Sequence, residues 1–219
     1  MTTPNRALVI IDVQNEYFDG PLRIEYPPRD KSLARILEAA ETARRAGIPV
    51  VIVQHEAPQG SPVFAAGSRG WQLHESVAGL SGEPAAAAGG APVAGLGGGP
   101  VVKSYSSVFA GTGLDDRLRD QGVDTVTFVG FMTNNCVLAS AAAAEPLGFA
   151  VEVLSDATGA INLSNEAGSV TAQQVHETLM ALLHSNFAAV ADTATWTAAV
   201  DAGAALPGSN LVVSATAGR

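Results

Sequence analysis

Six short apolar runs divide the chain, at Arg6–Val13, Ile48–Val53, Pro100–Lys103, Thr125–Val129, Ala150–Leu154 and Phe187–Val190. They are near-continuously apolar rather than alternating, the pattern of strands buried on both faces of a sheet. Between them lie segments with helical character. Leu33–Arg45 follows a candidate cap at Asp30 or Ser32 and stops at Gly47. Gly113–Gln121 is short and charged, and Val137–Ala144 is built of small residues and closed by Pro146-Leu147-Gly148. Ser169–Leu183 carries apolar positions at Val175, Leu179, Leu182 and Leu183, and Thr193–Ala202 completes the set. Strands alternating with helices predict an α/β fold: a three-layer sandwich whose six-stranded, mostly parallel sheet has helices on both faces.

One domain over residues 1–202 accounts for this pattern. Residues 79–99 (GLSGEPAAAAGGAPVAGLGGG) are low in complexity and are expected to form a flexible insertion, and residues 203–219 a loose C-terminal tail. The chain has 219 residues, 47% hydrophobic and 15% charged, which suits a globular domain. A formal net charge of −9 argues against nucleic acid or an anionic membrane as partner. Met1–Ile10 shows no signal pattern, and no apolar run approaches the roughly 18 residues of a membrane span. One cysteine excludes an intrachain disulfide and fits a reducing compartment, so a cytoplasmic location is expected.

No GxGxxG follows the first strand, and GxSxG, Walker and zinc-type spacings are absent, so neither cofactor nor metal is expected. What the sequence offers instead is three reactive groups at strand ends. Asp12 ends the first run, Lys103 ends the third, and Cys136 lies where the fourth strand gives way to a helix. Ligands of open parallel sheets bind beyond the carboxyl ends of the strands, where these three can converge. A thiol at a helix start meets free N–H groups that favour thiolate, which predicts a lowered pKa for Cys136. The alternative is that Cys136 is a small buried hydrophobe.

The stretches LVIIDVQNEYF, VVIVQHEAP, GSRGWQLH, VVKSYSSVFAGTGL, FVGFMTNNCVLASAAAAEPLGFAVEVLSDATG and HETLMALLHSNFAAV together resemble the isochorismatase-like cysteine hydrolases, which include nicotinamidases and N-carbamoylsarcosine amidase. The resemblance implies a Rossmann-like sandwich and an Asp-Lys-Cys triad at Asp12, Lys103 and Cys136. It also implies a cis peptide between Phe131 and Met132, and an oxyanion hole from the N–H groups of Met132 and Cys136. The implied activity is hydrolysis of a small amide through a cysteine thioester, in a homo-oligomer. Two alternatives remain: vinyl-ether hydrolysis with Asp12 as acid, and a redox sensor with a reactive Cys136. Nicotinamidases bind metal through an Asp-x-His pair. Here His55 stands in the aspartate's place and Ala57 in the histidine's, so that site looks dismantled, leaving His55, Glu56 and His74 as the remaining metal option. Phe18, His55, Trp71 and Tyr105 are the candidate pocket residues, whereas His176 and His184 read as structural and Gln14 as a brace.

Overall fold

The computed structural model describes residues 3–82 and 99–218. Its elements in chain order are β1 (Arg6–Ile11), α1 (Glu16–Asp19), α2 (Arg29–Arg45), β2 (Val50–His55), α3 (Glu75–Ala78), β3 (Val101–Lys103), α4 (Leu114–Asp120), β4 (Thr125–Phe131), α5 (Leu138–Ala144), β5 (Ala150–Gly159), β6 (Leu163–Asn165), β7 (Gly168–Val170), α6 (Ala172–Leu182), β8 (Ala189–Ala191), α7 (Thr193–Asp201) and α8 (Leu211–Ala217). Six strands form one sheet in the order β3-β2-β1-β4-β5-β8, with every pairing parallel. The chain runs outward from β1 through β2 to β3, then returns to β4 on the other side of β1. That reversal opens a crevice beyond the strand ends.

Alternation along the strands sorts the core into two layers. Ala7, Val9, Ile11, Val126 and Phe128 pack on one face with Val137, Ala141 and Leu183. Leu8, Ile10, Val129 and Phe131 pack on the other with Ala39, Ala43 and Trp196. The second layer also holds a polar network. The Arg6 guanidinium donates to both Glu152 oxygens, at 2.9 Å from Nε and 2.8 Å from Nη2. The same carboxylate accepts from Thr127 Oγ1 at 2.8 Å and Trp196 Nε1 at 2.9 Å. A buried carboxylate is tolerable because each of its lone pairs is directed at a donor.

Several boundaries differ from those predicted. Helix α2 starts at Arg29 behind Pro28 without a side-chain cap, and Ser32 donates instead to the Thr158 carbonyl. The predicted helix from Ser169 begins only at Ala172, where a Thr171–Gln174 capping box starts it, and Ser169 and Val170 join the β6–β7 hairpin. Strand β5 continues five residues beyond Leu154, to Gly159. The tail expected to be loose carries α8, capped by Asn210, which leaves Leu211, Val212 and Val213 exposed. Of the expected insertion, residues 83–98 lie outside the described residues. Among the described residues no helix is long and apolar enough to cross a membrane.

Two stability predictions follow from these contacts. Glu152→Ala strands a buried guanidinium and should lower unfolding stability by about 3–5 kcal/mol in urea titrations, while Arg6→Met with Glu152→Leu should lose much less. Gly130 has φ +103°, and a Cβ there would meet the Ile11 carbonyl oxygen at 2.1 Å. Gly130→Ala should therefore fail to accumulate as a folded, soluble protein.

Candidate active site

The close approach of β4 to β1 at Gly130 lies one residue before Asp12, which adopts a left-handed conformation (φ 49°) uncommon for a side-chain-bearing residue. The Asp12 N–H donates to the Val53 carbonyl at 3.0 Å, fixing the start of the loop against β2. Lys103 is the last residue of β3, in register with His55 on β2. Its side chain passes over β2 to reach the end of β1. Cys136 sits in a single π-helical turn, Thr133–Val137, which joins β4 to α5 after a cis Phe131–Met132 peptide. Such turns widen the helix locally and are common at functional sites. Ser140 holds this turn by donating to the Cys136 carbonyl at 2.6 Å and accepting the Val108 N–H at 3.1 Å.

The structure brings Asp12, Lys103 and Cys136 into contact. Lys103 Nζ lies 2.7 Å from Asp12 Oδ2 and 3.3 Å from Cys136 Sγ. It also donates to the Tyr105 carbonyl at 3.1 Å and lies 3.3 Å from His55 Nδ1. Both members of the ion pair have fully buried side chains, and Cys136 is 3% exposed. Burial pushes Asp12 above the ordinary carboxylate range, against the opposing pull of Lys103. Burial alone would push Lys103 down, but Asp12 and Cys136 together hold it above its ordinary value. The thiol is pushed up to about 12, by burial first and by the Asp12 charge second. Desolvation and the neighbouring carboxylate thus oppose the thiolate expected from the helix start and one ammonium. A base, a cation and a protonated thiol in mutual contact can pass one proton from sulfur to carboxylate when the sulfur attacks.

The candidate pocket residues divide. Phe18 stacks near His74, with centroids 4.3 Å apart, and packs edge-on to Phe131. His55 stands beside the triad. Trp71 contributes mainly its carbonyl, which accepts from Gln14 Nε2 at 2.7 Å and Gln54 Nε2 at 2.8 Å. Tyr105 is 66% exposed, and it meets Lys103 through its carbonyl. Gln14 is indeed a brace, since its amide also binds the His55 carbonyl and N–H at 2.9 Å each. Among the described residues no group of three or more His, Cys, Asp and Glu side chains is placed to hold a metal ion. His74 instead caps α3 by accepting the Ser76 N–H at 3.3 Å.

Sequence reasoning missed the partners that act through backbone atoms or through helices. Gln54, Ser140 and the Tyr105 carbonyl gave no motif. His176 is structural but closer to the site than expected, with Nδ1 3.0 Å from Thr133 Oγ1 at the start of the cysteine turn. His184 Nδ1 accepts the Val190 N–H at 3.0 Å. Asp156 accepts from both the N–H and the hydroxyl of Thr193, helping to start α7.

The chain is similar to known proteins. Residues 6–195 match the isochorismatase domain model. An isochorismatase family protein of Bacillus subtilis (strain 168) is 30% identical over 195 residues, covering 88% of this chain and 97% of that protein. A ureidoacrylate amidohydrolase of Methylobacterium radiotolerans is 29% identical, covering 88% of this chain and 78% of its own. Among solved structures, a protein described as an isochorismatase from Burkholderia xenovorans LB400 superposes with TM-score 0.90 at 44% identity, covering 100% of this chain and 98% of that one. N-carbamoylsarcosine amidase from Thermoplasma acidophilum gives TM-score 0.63 at 26% identity, covering 88% and 97%. With the six-stranded parallel sheet of those structures and a domain match over most of its length, the chain belongs to the isochorismatase family of hydrolases.

Proposed function

We propose that this protein hydrolyses a small, non-peptide amide through a Cys136 thioester. The observation that supports this most directly is the buried contact of Asp12, Lys103 and Cys136 at the ends of three strands. Amide hydrolases among the family relatives support the reaction class. In the first half-reaction the Asp12 carboxylate takes the thiol proton as sulfur bonds to the carbonyl carbon. The carbonyl oxygen becomes an oxyanion facing the N–H groups of Met132 and Cys136. As the C–N bond breaks, Asp12 returns the proton to the departing nitrogen. In the second half-reaction water adds to the thioester carbonyl, Asp12 takes its proton, and the C–S bond breaks to release acid and restore the thiol. Lys103 stays cationic throughout and keeps Asp12 usable as a base in a dry site.

The raised pKa of Asp12 also supports a second reading, in which the protonated carboxyl donates to a vinyl ether. Cys136→Ser separates the two, because only the amide reaction needs the sulfur. A redox sensor is the poorest fit, since sulfenic acid formation follows thiolate character and exposure, and Cys136 has little of either.

Screening small linear and cyclic amides for ammonia or amine release tests the proposal. Asp12→Asn should reduce kcat/KM on any substrate found by at least about a hundredfold, with thermal melts checking that the variant is folded. Because Asp12 must be ionised to act, kcat/KM should rise along an acid limb displaced upward from the usual carboxylate pKa. Alkylation of Cys136, followed by intact mass, should show a pH midpoint well above the ordinary thiol value of about 8.5. Asp12→Asn should lower that midpoint by removing a negative neighbour, and Lys103→Met should not. A midpoint below 8.5 in the unaltered protein would mean that the thiolate is present before substrate arrives.

A further inference from the structure

His55 is the best-anchored side chain at the site outside the triad. Both its backbone polar groups are held by the Gln14 amide, and its ring stands edge-on to Phe64 at 5.2 Å and 81°. Its Nδ1 lies 3.3 Å from Lys103 Nζ. Asp12, the Tyr105 carbonyl and Cys136 already offer acceptors for the three N–H groups of Lys103, but an Nδ1–H aimed at an ammonium would be repelled, so Nδ1 turns its lone pair toward Lys103. A neutral imidazole with a lone pair at Nδ1 carries its proton on Nε2. Burial and the Lys103 charge together push the imidazole pKa down to about 4, so the neutral form persists through the neutral range. Nε2 has no partner among the described residues, nor is it one of the buried polar atoms left unpaired. It is therefore open to a ligand. The result is a fixed N–H donor on a ring that meets Lys103, the residue that also contacts Cys136 Sγ, and that cannot turn without breaking its contact with Lys103.

We propose that His55, as the Nε2–H tautomer, orients the substrate, selecting amides that carry a hydrogen-bond acceptor (a carbonyl, a carboxylate or a ring nitrogen) beside the scissile carbonyl. This rests on Cys136 being the nucleophile. The role is distinct from support of Lys103, and two substitutions separate them. In His55→Asn the side-chain oxygen occupies the Nδ1 position, keeping the acceptor for Lys103 but removing the Nε2 donor. In His55→Gln the side-chain nitrogen takes the Nε2 position and keeps the donor.

The probes are iodoacetamide, which carries a carbonyl next to the reacting carbon, and methyl iodide, which carries none. Alkylation rates of Cys136 in the full chain are read by intact mass, and the ratio of the two reagents is normalised to that for glutathione. The unaltered protein and His55→Gln should favour iodoacetamide by about five- to tenfold more than His55→Asn does, the value of one hydrogen bond. An unchanged ratio in His55→Asn overturns the proposal. So does an equal slowing of both reagents, which would mean that His55 acts only through Lys103, and so does a ratio lost equally in His55→Gln. Thermal melts check folding, and His55→Ser, whose hydroxyl is too short to reach the Nε2 position, replaces His55→Asn if that variant does not fold. The assay needs no turnover. A chain that alkylates selectively but hydrolyses no amide sinks the proposed function and leaves only the Nε2–H donor assignment standing, whereas amide hydrolysis with a flat ratio overturns the His55 role and leaves the proposed function standing.

Discussion

The site depends on one ion pair made without water. Asp12 and Lys103 lie 2.7 Å apart with both side chains fully buried, so either one alone would be an uncompensated charge in the interior. The pair also dictates local architecture. Its members come from β1 and β3, which are not neighbours, so the lysine side chain must cross the end of β2. The residue it crosses is His55, which explains why a histidine ring comes to rest against the ammonium. The left-handed backbone at Asp12 and the glycine opposite Ile11 belong to the same requirement, because they let two strands approach closely where the carboxylate turns inward.

Sulfur chemistry in such a place is governed by competition between burial and charge. A cation beside a thiol favours thiolate, but here the anion beside it opposes that, and desolvation exceeds both. The stable resting arrangement keeps two opposite charges together and leaves the third group neutral. A buried thiol held neutral is a poor target for oxidants, whose attack follows thiolate character and exposure.

The sheet was legible because each strand is a short apolar run between polar segments, and the three reactive residues were legible because each falls at the end of such a run. Strand and helix ends were read less well for physical reasons. Thr171 and Gln174 set the start of α6 through a capping box, overriding the helical tendency of the residues before it. Strand β5 extends through Ser155 and Asp156, polar residues that look like a turn in isolation, because β4 pairs with it beyond a bulge. The sequence places Cys136 at a helix start but carries no measure of how deeply that start is buried, and burial opposes ionisation. Contacts made through main-chain atoms, such as the Tyr105 carbonyl on Lys103, have no side-chain signature.

The way the loop before α3 is moored has an evolutionary consequence. Two glutamine amides, from Gln14 and Gln54, converge on the Trp71 carbonyl. A mooring made to a peptide oxygen is blind to the side chain that the residue carries. The side chain at position 71 can therefore be exchanged while the loop's point of attachment stays put.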